Sequence, residues 1–130
     1  MTSLKFYSKP RRDNPEARLQ KAVLQHLKMT GVPGIIYFHP ANEGRRSIVT
    51  GANLKALGML PGVADLVIIK DGRAFFLEIK AKGGRLSEAQ AQFGALALEA
   101  GSQWACVDCI DAAINTLRNW GVIKPMRVAA

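Results

Sequence analysis

The stretch GVADLVIIKDGRAFFLEIK, residues 62–80, decides the fold because it predicts a β-hairpin with two apolar strands. Asp71-Gly72 lies between the two apolar runs, and an Asp-Gly pair in that position favours a two-residue type I′ turn. Such a turn places Lys70 opposite Arg73 and fixes the pairing of the residues on either side. Because both faces of the hairpin are otherwise apolar, we expect the sheet to be covered on both sides.

Three charged residues of this hairpin are predicted to converge on one face. The register puts Asp65 opposite Glu78, and Lys80 shares a face with Glu78 because side chains alternate along a strand. Opposed residues have Cβ atoms about 4.5–5.5 Å apart, so two carboxylates in these positions repel each other. A divalent cation such as Mg²⁺, which binds through one or two carboxylates, would relieve that repulsion. The alternative is an ordinary surface ion-pair cluster at a solvated strand end.

The pattern on either side of the hairpin predicts the order α-β-β-β-α-β-α, which is an α/β fold with a small mixed sheet flanked by helices. A long loop at residues 41–62 separates the first strand from the hairpin and has room for a short helix around Asn53 to Leu57. The other predicted elements are a helix at residues 14–31, a strand in GIIYFHP, a helix at residues 85–101, a strand in QWACV and a helix at residues 109–121.

The composition indicates one globular domain with a polyanionic partner. Of the 130 residues 48% are apolar, which is enough for a packed core, and no apolar run is long enough to span a bilayer. The 18 Lys and Arg against 10 Asp and Glu give a net charge of +8, which favours nucleic acid as the partner. Residues 1–13 are basic, and we expect them to form a flexible arm. They lack the apolar core of a signal peptide. We therefore expect a cytoplasmic location, in a bacterium or for a phage protein in its host.

Cys106 and Cys109 form a C-x-x-C pair. The pair is compatible with a redox centre, or with half of a zinc site whose other candidate ligands are His26 and His39. Two ordinary thiols in a reducing compartment are the interpretation that we favour, because a full zinc site would need two more ligands and these two histidines are the only obvious candidates.

The stretches GVAD and LEIK, which lie on either side of one β-turn, resemble the Asp…Glu-x-Lys core of the PD-(D/E)XK nuclease superfamily. More specifically, the chain resembles the VRR-NUC family of that superfamily over residues 14–121. The matching stretches are PEARLQKAVLQHLK, NEGRR, LKALGMLPGVADLVI, FFLEIKAKGGRLSEAQ and LRNWG. The resemblance implies a restriction-endonuclease-like αβββαβ core within a VRR-NUC nuclease domain at residues 14–130. The chain departs from the pattern at Ala64, which replaces a Pro, and it lacks an arginine pair after QWACV.

The resemblance also implies a phosphodiesterase site that uses Mg²⁺ or Mn²⁺ as its cofactor. Asp65 and Glu78 would bind the metal together with the carbonyl group of Ile79. Lys80 would orient the attacking water or help to deprotonate it. The full set of catalytic residues carried over from the family is Asp65, Glu78, Lys80, Glu16 and Gln90.

Two of these residues have an alternative role. Glu16 lies on the helical stripe that faces the sheet, so it could overhang the acidic pair, but an acidic residue in a first turn is also favoured by the helix dipole. Gln90 follows Ser87 at the spacing of a capping box, so its side chain could serve the helix instead. In place of the missing arginine pair, the residues that we expect to contact DNA are Arg45, Arg46, Lys82 and Arg85. The alternative for each of them is an ordinary solvated cation on a loop.

The function implied by the resemblance is that of a metal-dependent, structure-specific DNA endonuclease, and we expect it to resolve four-way (Holliday) junctions in DNA repair or recombination. The alternatives are a non-catalytic or partner-dependent DNA-binding module, and a flap nuclease or exonuclease acting in replication and repair. A four-way junction has two-fold symmetry, so we expect a homodimer. In such a dimer, the apolar residues of segment 42–62 would pack against the same segment of the second subunit or exchange with it. The alternative is that the segment folds over its own sheet.

Overall fold

The computed structural model of the chain describes residues 14–40, 52–53 and 55–126. Within these ranges the elements follow the predicted order α-β-β-β-α-β-α. They are the helices α1 (Pro15–Thr30), α2 (Glu88–Glu99) and α3 (Ile110–Asn119) and the strands β1 (Ile36–Phe38), β2 (Leu66–Lys70), β3 (Arg73–Ile79) and β4 (Gln103–Val107). Helical backbone also occurs at residues 52–53 and 55–56, where the long loop is predicted to hold a short helix. The predicted basic arm at residues 1–13 lies outside the described residues.

The four strands that the described ranges contain form one sheet in the order β1-β2-β3-β4. β1 and β3 each run antiparallel to β2, whereas β4 runs parallel to β3. Between β3 and β4 the chain passes through α2, because two parallel neighbours need a long crossover connection. The predicted α/β class, a small mixed sheet flanked by helices, is confirmed.

The β2–β3 hairpin has the predicted register. Lys70 pairs with Arg73, and the pairing continues without a bulge to the first residue of β2. Asp71 and Gly72 have φ angles of 51° and 74°, and both angles are positive, as a type I′ turn requires. The turn therefore sets which residues meet at the far end of the hairpin, where the charged residues lie.

Local signals place the starts of α1 and α2 as predicted. Asn14 Oδ1 accepts a hydrogen bond from the Ala17 N–H at 3.0 Å, and Pro15 occupies the first helical position of α1. Ser87 and Gln90 form the capping box at the start of α2. Along the described ranges, every helix is too short or too polar to cross a bilayer.

The two faces of the sheet are covered by different helices. Phe93 of α2 packs edge-to-face on Phe76 of β3, with ring centroids 5.0 Å apart. Because side chains alternate along a strand, Glu78 points to the same face as Phe76 and so lies under α2. α1 and α3 cover the opposite face, where the larger core includes Leu66, Ile68, Phe75, Leu77 and Ile79.

The segment after α3 ties the end of α1 to the rest of the domain. Gly31 and Ile123 form an isolated antiparallel bridge, and the Val32 N–H donates to the Val122 carbonyl at 3.0 Å. Val122 and Ile123 are themselves buried in the larger core. This segment therefore helps to hold α1 against the sheet.

Candidate functional site

Asp65 lies immediately before β2 and is held at both its carboxylate and its carbonyl group. Its Oδ2 accepts a hydrogen bond from the Ile79 N–H at 2.8 Å, across the hairpin. Its carbonyl oxygen lies 2.6 Å from Nδ1 of His39, the residue that follows β1. The main-chain pairing between β2 and β3 ends at Leu66. One residue further, the side chain of Asp65 continues the contact between the two strands.

Glu78 is the one charged residue among the buried side chains of the described ranges, and it is only 1% exposed. Its Oε1 accepts a hydrogen bond from Gln90 Nε2 at 3.1 Å and lies 3.5 Å from Lys80 Nζ. Its Oε2 is also buried, and no donor in the described part of the chain reaches it. A buried carboxylate oxygen without a donor is costly, so this atom marks a place where a ligand would stabilise the structure.

The electrostatics of the Asp65 and Glu78 carboxyl groups follow from the burial of Glu78 and from the like charge of the two groups. Burial raises the pKa of the Glu78 carboxyl to about 8, helped by the negative charge of Asp65, and the positive charge of Lys80 opposes the change only in part. The three residues therefore converge as the hairpin register predicts. One lysine does not compensate for two carboxylates in this position.

Gln90 connects this site to α2 with both ends of its amide. Its Oε1 accepts from the Ser87 N–H at 2.8 Å, and its Nε2 donates to Glu78. A main-chain N–H only donates and a carboxylate only accepts, so this orientation of the amide satisfies both partners. The capping role and the site role, which the sequence presents as alternatives, occur together.

Glu16 approaches the site from the other face of the sheet. Its exposed side chain accepts a hydrogen bond from the Ala81 N–H at 3.3 Å, next to Lys80. In the part of the chain that the structure describes, no three His, Cys, Asp or Glu residues form a group suited to a metal ion. Glu16 thus reaches the main chain beside the acidic pair and does not form a three-carboxylate cluster with it.

An open cleft of about 240 Å³ runs beside Asp65 between the end of β1 and the start of α2. Its floor includes residues 62–65, and Gln90 and His39 line its two sides. Gly62 has a φ of +78°, and a Cβ atom there would collide with the main chain of Ala89 in α2. Only glycine fits this close approach, which brings the loop that carries Asp65 against the helix that carries Gln90.

The donors fit a hard divalent cation. Asp65 and Glu78 supply two adjacent carboxylates, and Glu78 Oε2 is buried without a donor among the described residues. Mg²⁺ binds through one or two carboxylates and keeps several of its waters, so it does not need a third acidic side chain. The open cleft beside Asp65 leaves space for waters or for phosphate oxygens.

Two solved structures resemble this architecture. A structure described as "VRR_NUC domain protein" superposes with a TM-score of 0.66 at 21% identity, covering 84% of this chain and 89% of the other. The chain has the VRR_NUC fold. A second structure, described as "VRR_NUC domain", gives a TM-score of 0.58 at 16% identity and covers 83% of this chain and 99% of its own. Family models and curated protein sequences give no match.

Two of the four residues expected to contact DNA can be placed on this VRR_NUC fold. Lys82 and Arg85 are exposed on the loop between β3 and α2, directly after Lys80. Arg45 and Arg46 lie outside the described residues. The thiols of Cys106 and Cys109 are free and exposed.

Sequence reasoning missed the roles of His39 and Gly62. His39 enters the sequence analysis only as a zinc-ligand candidate, yet the structure places it against Asp65. The available signal was its position at the end of β1, but the register of a three-residue strand is not fixed by a tight turn. The Gly62 contact depends on how α2 docks, for which the sequence carries no local signal.

Proposed function

We propose that the protein is a VRR-NUC family nuclease that hydrolyses phosphodiester bonds in DNA with Mg²⁺ or Mn²⁺. The observation that carries the proposal is the buried Glu78 carboxylate, whose Oε2 has no donor in the described residues and which interacts with Asp65. Asp65 in turn lines an open cleft. The fold shared with VRR_NUC domains supports it. The net charge of +8 favours a polyanionic substrate.

In this proposal Asp65 and Glu78 hold the cation together with the carbonyl group of Ile79. A divalent cation, when bound, supplies Lewis-acid stabilisation of the negative charge on a phosphate group. Gln90 keeps the Glu78 carboxylate in a fixed orientation through its hydrogen bond to Oε1. Asp65 is kept in place by the Ile79 N–H.

In this proposal Lys80 orients the attacking water and stabilises developing charge. Its Nζ lies 3.5 Å from Glu78 Oε1, and its side chain is mostly buried. A partly desolvated ammonium group interacts more strongly with a phosphate than an exposed one does. Glu16 accepts a hydrogen bond from the N–H group of Ala81, the residue after Lys80, and so supports the end of β3.

Cleavage assays with Mg²⁺ on branched, flap, linear and single-stranded DNA test the proposal. We expect cutting in Mg²⁺ or Mn²⁺, and a loss of at least about 100-fold in Asp65→Ala, Glu78→Ala and Lys80→Ala. Lys28→Ala, an exposed residue in the last turn of α1, is the matched control and should cut normally. DNA binding without cleavage under every metal condition would instead identify a non-catalytic or partner-dependent module.

The finer proposal is that a homodimer resolves four-way junctions. Such a junction needs two symmetric incisions, and the described part of one chain offers a single acidic pair, so two copies related by a two-fold axis meet that need. Leu57 and Leu60 of the 42–62 segment are 83% and 46% exposed. Leu60 also borders an apolar groove with Phe76, Phe93 and Leu96. A second subunit would cover these residues.

Light scattering and substrate choice test the finer proposal separately from the nuclease itself. We expect a dimer at micromolar concentration and paired cuts in a four-way junction. A monomer that cuts flaps or chain ends and leaves junctions intact would overturn the junction proposal while the nuclease proposal stands.

A further inference from the structure

We infer that His39 is a positioning residue for the metal-binding carboxylate of Asp65, a role that rests on the nuclease function proposed above. His39 Nδ1 lies 2.6 Å from the main-chain carbonyl oxygen of Asp65, in a partly buried contact. A carbonyl oxygen only accepts hydrogen bonds, so Nδ1 carries the proton and donates. The contact therefore fixes both the tautomer of the ring and the place of the Asp65 main chain.

The sequence around β1 explains why a side chain has to make this bond. Phe38 pairs with Val67, and the same register extended by two residues puts Pro40 opposite Asp65. Proline has no N–H group, so the main chain at this position has nothing to donate to the Asp65 carbonyl. The imidazole of His39 supplies the donor that the strand lacks.

This bond matters for the site because it is one of two hydrogen bonds that hold Asp65 within the described residues. The other bond, from the Ile79 N–H to Oδ2, fixes the carboxylate relative to β3. The His39 bond fixes the main chain relative to β1. Without it Asp65 can shift while Glu78 stays held by Gln90, so the spacing of the two carboxylates is no longer constant.

Mn²⁺ affinity, measured by titration calorimetry, tests this role independently of cleavage. Removing a group that orients a metal ligand typically costs about 10–100-fold in affinity, so we expect at least tenfold weaker Mn²⁺ binding in His39→Ala. His39→Asn places an amide N–H close to the position of Nδ1 and should restore most of the affinity. His39→Gln places its amide near the position of Nε2 and should not. The matched control is His26→Ala, which alters the only other histidine of the chain and should bind Mn²⁺ normally.

A second measurement separates this role from the proposed function. Nitrogen-15 spectra of the two histidine rings in metal-free protein should show His39 as the Nδ1–H tautomer, and melting temperatures should show that each variant folds. An Nε2–H tautomer, or wild-type Mn²⁺ affinity and cleavage in His39→Ala, overturns the positioning role alone. A wild-type chain that shows the Nδ1–H tautomer but binds no Mn²⁺ overturns the metal-dependent function and this role with it.

Discussion

Gln90 donates a hydrogen bond from Nε2 to Oε1 of Glu78 at 3.1 Å, while the other end of its amide caps the helix that carries it. One side chain thus connects the first turn of α2 with the buried carboxylate of β3. The contribution of Gln90 to the site can therefore be separated from its contribution to the helix. A glutamate at this position can replace the accepting oxygen of the amide but not the donating nitrogen.

Gln90→Glu should therefore keep the capping box and damage the site. The carboxylate still accepts from the Ser87 N–H, but it cannot donate to Glu78 and adds a third negative charge. A hydrogen bond to a charged group contributes about 1.5–3 kcal/mol, so we expect a loss of about 2 kcal/mol in the free energy of unfolding at pH 8 in EDTA. Gln92→Glu, on the same helix, should lose much less. Equal losses in the two variants would contradict a specific Gln90–Glu78 bond.

The metal-free protein should become less stable as the pH rises from about 4.5 to about 8. Glu78 is deprotonated above about 4.5 in the unfolded chain and only above about 8 in the folded one. Between these values the folded state binds one more proton, so the free energy of unfolding falls with pH, by at most about 1.4 kcal/mol per unit. Glu78→Gln cannot release this proton. The free energy of unfolding of Glu78→Gln, relative to the wild type, should therefore increase between about pH 4.5 and about pH 8 and then level off.

Denaturant unfolding at pH 5, 6.5 and 8 in EDTA measures this difference. Glu88→Gln, which alters an exposed carboxylate on α2, should follow the wild type across the same range. Mn²⁺ should restore wild-type stability at pH 8 and leave Glu78→Gln almost unchanged. A stability difference between wild type and Glu78→Gln that stays constant with pH would refute the raised pKa.

DNA binding should be mainly electrostatic, with contributions from Lys82 and Arg85. With Ca²⁺ present to limit cutting, the affinity should fall steeply as salt increases, because bound cations are released from the phosphates. Replacing either residue by Ala should reduce the slope of log K against log salt by about 1. Lys28→Ala should leave the slope as it is. Shuffling the base sequence at constant DNA shape should change the affinity little, since phosphate contacts carry no sequence information.

Gly62→Ala should impair both the fold and the site. The residue combines a positive φ with a Cβ position that collides with Ala89, whereas Gly58 has a φ of +95° and open space around its Cβ position. Gly58→Ala therefore measures the backbone penalty alone, about 1–2 kcal/mol. We expect Gly62→Ala to lower the free energy of unfolding further and to weaken Mn²⁺ binding. Equal effects of the two substitutions would show that the contact with α2 is unimportant.

The hairpin could be predicted from sequence because its information is local. Asp71-Gly72 specifies the turn, the turn specifies the register, and the register brings Asp65 to Glu78. The capping box of α2 is local in the same way. The position of Glu16 is only partly specified by local sequence, since its helical stripe shows that α1 faces the sheet but does not show which face of the sheet.

The contacts that could not be predicted depend on how separate elements dock. The His39–Asp65 bond requires the β1–β2 register, which rests on three residue pairs without a tight turn between them. The approach of Gly62 to Ala89 requires the final position of α2. The sequence also left two roles open for Gln90, because spacing alone does not show that an amide can satisfy a donor and an acceptor together.

The tie between α1 and the segment after α3 has a consequence for how the chain folds during synthesis. α1 emerges from the ribosome before the other described elements, but the main-chain partners of its C-terminal end, Val122 and Ile123, are among the last described residues to be made. Until they emerge, the buried face of α1 lacks part of its core, and Glu16 is carried by a helix that is not yet fixed. The nascent chain should therefore complete its domain late, and a ribosome-stalled chain ending at Gly121 should be digested by protease far more readily than one that includes Lys124.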